Sequence, residues 1–163
     1  HNKTILKIYT LALVPLFLMS ATSTQAPTPT PQQYADIDRK LTNEAVDNTV
    51  KTSKHIETKG DTKCTKRGAS GEIGCFQFLP STYNNLSKKH FGQVKGFTLE
   101  VEQQLVKLEV IDLIEKKKLT PDKVFLYWNS GQYKRCSRGV NKHNVPYDSC
   151  RYVADAMKYF KGL

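Results

Sequence analysis

Four cysteines constrain this chain more than any other feature. Cys64 and Cys75 bracket a glycine-rich stretch, and Cys136 and Cys150 bracket a polar one. Four cysteines allow three pairings. A zinc site would call for tighter paired spacing such as C-x-x-C, and no such pair is present. An even count behind an export signal points instead to two disulfides. The expected pairing is local, Cys64–Cys75 and Cys136–Cys150, closing two short loops that must hang from packed elements.

The export signal is read from residues 1–26. Lys3 and Lys7 give a basic start, Ile8 to Met19 an apolar core broken by Pro15, and Ala21 to Ala26 a small, polar end with a cut expected after Ala26. The apolar run is short for a membrane span of about 20 residues, although an anchor is the alternative reading. Residues 27–42 are expected to be a Pro/Thr-rich linker, because the alternating prolines of Ala26 to Pro31 remove donors and favour extended backbone. That leaves 43–163 as one domain, long enough for a modest core. Without Lys3 and Lys7 the net charge of +10 becomes +8. Such a surface attracts polyanions. For an exported chain, anionic wall polymers are the expected partner class rather than a specific nucleic acid, although runs such as Lys116-Lys117-Lys118 also read as solvated faces.

The expected class is mainly α with a small irregular or β lobe near residues 60–76. Val46, Val50, Ser53 and Glu57 share one helical stripe from Asn43 to Thr58. Residues 59–75 read as a loop, Pro80 to Lys88 as a short helix, and Thr98 to Lys118 as the longest helix. That last pattern is apolar on more than one face, so it should run through the core. Thr120-Pro121 marks a helix start and Gly131 a stop. Residues 132–145 read as loop. Pro146 is taken to open a last helix whose stripe is Cys150, Val153, Ala154, Met157 and Phe160, with Gly162 as the stop.

Glu57 is the residue that carries chemistry. It closes a core-facing stripe, where a carboxylate is partly desolvated and sits at the negative end of the helix dipole. Both effects raise its pKa. A carboxyl that stays protonated near neutrality can protonate a leaving oxygen. The bland alternative is a surface glutamate among Lys54, Lys59 and Lys63. Glu72 is either a second carboxylate facing the same bond or an acid that orders its own loop. His55, His90 and His143 show no metal-ligand spacing, so neither metal nor cofactor is expected. The even cysteine count argues against a cysteine nucleophile.

The run Glu57-Thr58, then Gly71-Glu72-Ile73-Gly74-Cys75-Phe76-Gln77-Phe78-Leu79-Pro80-Ser81-Thr82, resembles the core motif of the lytic transglycosylase family, E-S followed by G-A-x-G-L-M-Q-x-x-P-x-T. Tyr127-Trp128-Asn129-Ser130-Gly131 is similar to that family's A-Y-N-A-G block, and Pro146-Tyr147 to its P-Y. Three blocks in order span about residues 45–160. The chain departs from the pattern at Thr58, Glu72 and Trp128. The resemblance implies a lysozyme-like α-helical domain and Glu57 as the catalytic acid. Glu72, Gln77, Tyr127, Asn129 and Tyr147 are the implied substrate contacts. The implied activity is that of a secreted, periplasmic or wall-associated monomer that cleaves the MurNAc–GlcNAc bond of peptidoglycan glycan strands to leave a 1,6-anhydro end. A lysozyme-type hydrolase and a non-catalytic glycan-binding module are the alternatives.

Overall fold

A computed structural model describes Thr28, residues 30–142 and residues 144–163; the expected export signal and His143 lie outside them. The elements are α1 (Pro31–Thr58), α2 (Pro80–Phe91), α3 (Leu99–Ile111), α4 (Pro121–Ser130), β1 (Arg138–Val140), β2 (Pro146–Asp148) and α5 (Ser149–Lys161). The domain is mainly α, with one two-stranded antiparallel sheet and both local disulfides, Cys64–Cys75 and Cys136–Cys150. No helix among the described residues is long and apolar enough to cross a membrane.

α3 is the central element. Leu105, Val106 and Val110 on it, and Leu113 just beyond, have no exposed surface, and they pack with Val46, Phe76 and Val124. Each such side chain contributes about 1.5–3 kcal/mol of burial. α3 does not continue as a regular helix to Lys118. From Asp112 to Lys116 the turn widens, and Lys117 N–H reaches back five residues to Asp112 O at 3.0 Å. The longest helix is α1, which touches α3, α4 and α5.

Two boundaries differ from the sequence reading. α1 begins at Pro31, inside the stretch expected to be linker. Thr30 and Gln33 form a reciprocal cap, Gln33 N–H donating to Thr30 Oγ1 and Thr30 N–H to Gln33 Oε1, with Pro31 in the first helical turn. Proline fits there because that N–H would be unbonded anyway. The added turns from Pro31 to Leu41 are exposed, and packing begins near Ala45 and Val46, close to the expected domain start. At the other end, Pro146 does not open α5. Residues 146–148 pair with 138–140, Asp148 caps the helix by accepting from Arg151 N–H at 2.9 Å, and α5 starts at Ser149. β1 therefore lies in the stretch read as loop and β2 in the stretch read as the start of the last helix, while the expected β lobe near residues 60–76 holds only Ile73 of a single bridge, to Phe78. The buried side of α5 is also rotated from the expected stripe: Ser149 and Ala156 are buried and Ala154 is exposed.

The loop between α1 and α2 is tied to α3 by one side chain. Glu102, fully buried, accepts from Cys75 N–H at 3.0 Å and Phe76 N–H at 2.9 Å. Gly74 lies against it in the left-handed region, φ +80°, where an added Cβ would fall 2.3 Å from the carboxylate. Glu102→Gln puts an amide N–H₂ in place of one acceptor and leaves a buried donor facing a donor. It should cost about 1–3 kcal/mol or more, read as a lowered urea midpoint with an unchanged slope. An unchanged midpoint would show that Glu102 does not anchor the loop.

Candidate active site

Glu57 sits in the last turn of α1, which ends where Lys59 turns left-handed at φ 47°. α5 crosses behind it and brings Tyr152, whose hydroxyl donates to Glu57 Oε1 at 2.5 Å. Burial pushes the Glu57 carboxyl up from 4.5 to about 7; the Tyr152 bond and the Lys59 charge oppose this, and the Glu72 charge adds to it. Burial, then the Glu57 charge, holds the Tyr152 phenol well above its ordinary value. Tyr152 therefore stays a donor throughout the working range.

A cleft of about 500 Å³ opens over Glu57. The loop after α1 lines it through Lys59, Gly68, Glu72 and Gln77, and the end of α4 through Tyr127, Trp128, Asn129 and Gly131. Trp128 packs against Phe78, with ring centroids 5.4 Å apart, and edge-on to Phe76 at 6.4 Å. α4 ends at Gly131 because its φ of 73° suits glycine and halts the helix at the cleft.

Glu72 turns back on its own loop. Its Oε2 accepts from Ser70 N–H at 2.9 Å, its carbonyl accepts from Gly68 N–H at 3.0 Å, and a Cβ on Gly68 would lie 2.1 Å from that carboxylate. Loop ordering is thus the geometry present, and the charge reaches Glu57 through space. Gln77, left-handed at φ 51°, donates from Nε2 to Lys66 O and Gly74 O, both at 2.9 Å. Carbonyls only accept, so this fixes which end of the amide is nitrogen.

Of the expected site residues, Glu57, Glu72, Gln77, Tyr127 and Asn129 line one cleft. Tyr147 does not. It is exposed on β2, opposite Gly139, where a Cβ would meet its hydroxyl at 3.1 Å. The tyrosine that reaches the acid is Tyr152. Ser149, Tyr152 and Ala156 are spaced 3 and 4 apart, which is a helical stripe; Ser and Ala at its ends hid it from a count of large apolar residues.

The sequence reading also missed Glu109, buried on α3 yet lining the cleft. Its Oε2 meets both Lys89 Nζ and His90 Nε2 at 2.6 Å, and Lys89 reaches Asp112 at 3.2 Å. His90, Glu109 and Asp112 present ligand atoms within 4.8 Å of one another, a grouping that sequence spacing concealed. The Lys89 ammonium bonds both carboxylates and serves as their counter-ion.

The chain matches no protein-family model, no curated protein and no solved structure. The site therefore rests on its own chemistry: an acid with a pKa near neutrality, fixed by a phenol, in a cleft of about 500 Å³ lined partly by aromatic side chains.

The shifted pKa has a stability consequence. Below about pH 4.5 the Glu57 proton is bound in both folded and unfolded chains; between 4.5 and about 7 only the folded chain keeps it. Stability from this group is therefore complete at low pH and is lost as pH rises through 7, by up to about 3 kcal/mol. Glu57→Gln should remove that slope and be more stable than wild type at pH 8, with the gap closing toward pH 4.5. Parallel pH-stability curves for the two proteins would contradict the shift. Tyr152→Phe removes a bond that favours the anion, so the Glu57 carboxyl carbon should titrate at higher pH by NMR.

Proposed function

We propose that this chain is a peptidoglycan lytic transglycosylase that acts on the MurNAc–GlcNAc linkage of glycan strands. The observation that carries this reading is Glu57, with its pKa near 7 and its carboxyl held by Tyr152 at the floor of the cleft. The three motif blocks supply the substrate class, since Glu57 stands at the position of that family's acid.

In the proposed reaction Glu57 gives its proton to the glycosidic oxygen as the C1–O bond breaks. The carboxylate left behind then takes the proton from the same sugar's C6 hydroxyl, whose oxygen bonds to C1 and closes the anhydro ring. Protons balance, and Glu57 ends as it began. One residue suffices because the nucleophile is intramolecular, so its effective concentration replaces a held water. The Ser70 bond to Glu72 supports this over a hydrolase, because that carboxylate is occupied in ordering its loop. Tyr152 steadies the anionic form of Glu57 between the two proton transfers. Trp128 and Tyr127 offer faces for sugar rings, and the fixed amide of Gln77 contributes to the cleft lining. Export to the wall or periplasm belongs to the same proposal.

The test is a digest of purified peptidoglycan read by mass spectrometry. Wild type should release anhydro-muropeptides, one water lighter than hydrolysis products. Glu57→Gln should lose at least about 100-fold in rate while staying folded. A digest of reducing ends alone would assign a hydrolase and return Glu72 to the chemistry. A folded Glu57→Gln variant of near-normal rate would remove Glu57 from the site, and no cleavage by wild type would leave a glycan-binding module. The rate should fall as pH rises above about 7, as the acid deprotonates.

A further inference from the structure

The charge of this molecule is unevenly distributed. α1 carries a net charge of −1 and the stretch Leu99–Lys116 one of −3, in a chain of +10. The largest positive shares sit in two loops that meet the cleft. Residues 59–70 hold Lys59, Lys63, Lys66 and Arg67 against Asp61, a net +3. Residues 131–147 hold Lys134, Arg135, Arg138 and Lys142 with no acid, a net +4. The first loop lines the cleft through Lys59, Gly68 and Ala69, and the second leaves it at Gly131.

The pairing pattern separates these cations from the rest. The ion pairs among the described residues lie on or just beyond the helices: Arg39 with Asp36, Lys107 with Asp47, Lys89 with Glu109 and Asp112, Lys116 with Asp112, and Arg151 with Asp155. None engages a cation of either loop. Asp61, the acid inside the first loop, accepts from the backbone N–H groups of Lys63, Thr65 and Lys66 and from the Thr65 hydroxyl, and forms no ion pair with the lysine side chains. A disulfide also runs from each stretch, Cys64–Cys75 enclosing Lys66 and Arg67 and Cys136–Cys150 enclosing Arg138 and Lys142. Exposed, uncompensated charge flanking a cleft is the arrangement that steers and registers an anionic partner.

We infer that the two loops form basic banks that bind the carboxylates of the peptides branching from the glycan strand, so that the preferred substrate is a peptide-bearing strand rather than a bare one. The inference rests on the reading of the cleft as a glycan-cleaving site. A strand lying in the cleft projects its muramyl peptides outward, and their carboxylates repeat along it. Cations on both sides therefore meet a substrate whose charge is spaced along its length, whereas a neutral glycan would gain nothing from them.

The experiment compares end-labelled peptide-bearing strands with the same strands stripped of peptide by an amidase and with the freed lactyl carboxylates converted to neutral amides, over a range of salt. The test variant combines Lys66→Gln, Arg67→Gln, Lys134→Gln and Arg135→Gln, all exposed positions; the loop bonds at Lys66, Lys134 and Arg135 are made by backbone groups. An unchanged melting temperature confirms folding. Wild type should bind peptide-bearing strands more tightly, with an affinity that falls as salt rises. The variant should lose about tenfold in binding and in KM on those strands, with kcat and the bare-strand values within about twofold. The Arg67→Lys, Arg135→Lys variant should retain wild-type behaviour, since charge rather than guanidinium shape is at work. Equal losses on both strands, or no salt dependence, would overturn the inference. So would tighter binding to DNA at equal salt, or binding to whole walls that vanishes when phosphodiester polymers are stripped and peptides retained. If no strand is cleaved but peptide-bearing strands still bind with this charge dependence, the docking surface stands and the cleavage reading falls.

Discussion

The cleft depends on a buried carboxylate that does not line it. Glu102, buried on α3, accepts two consecutive backbone N–H groups at Cys75 and Phe76 and so fixes one end of the loop that follows α1. Buried N–H groups at a turn must find acceptors, and a carboxylate offers one oxygen to each. Burial pushes the Glu102 carboxyl upward, while the two donors and Lys54 pull it back toward the anion. With that corner held, Phe76 meets Trp128, Ile73 and Phe78 pair across a short reversal, and Gln77 is forced left-handed with its amide under the loop. One wall of the cleft is thus set from the core outward.

Glu57 is placed by opposing forces. The helix stripe draws it toward the interior, where its charge is costly, and Tyr152 returns one strong bond to the charged form. In the proposed reaction, loss of the phenol would leave burial holding the acid protonated and make it a poor acceptor after its first transfer, and loss of burial would leave it ionised and unable to donate. The proposed cycling between the two roles requires a pKa near the working pH, and about 7 is where these opposing forces leave it.

The sequence revealed these features unequally, for physical reasons. The helices of the core were legible because Val46 and Val50, or Val106 and Val110, are large apolar residues at helical spacing. The disulfides were legible because short loops favour local pairing. Residues that act through polar contacts across long separations were not. Tyr152 lies 95 residues from Glu57, Cys75 and Phe76 lie 27 and 26 from Glu102, and His90 lies 19 from Glu109. Nothing in local periodicity marks a buried carboxylate whose partner is a distant backbone amide. Tyr147 illustrates the converse. A P-Y dipeptide drew attention to a tyrosine that the β1–β2 pairing leaves on the surface, five positions before the one that reaches the acid.

Both disulfides are local, and that choice has a consequence for the cleft. Cys64–Cys75 closes a loop that lines it through Gly68, Ala69 and Glu72, and Cys136–Cys150 closes a segment that begins five residues beyond Gly131. A bridge over so short a loop contributes about 2–4 kcal/mol by restricting the unfolded chain, which suits a domain with a modest core. Neither bridge spans the opening. The two sides are joined instead by noncovalent contacts: Trp128 against Phe76 and Phe78 from α4, and Tyr152 on Glu57 from α5. Each loop is therefore rigid within itself, while its placement against the other follows from how α4 and α5 pack on α1. Those helices touch one another along their lengths, so a change at the α4–α5 interface would act on cleft width and on the acid's hydrogen bond together.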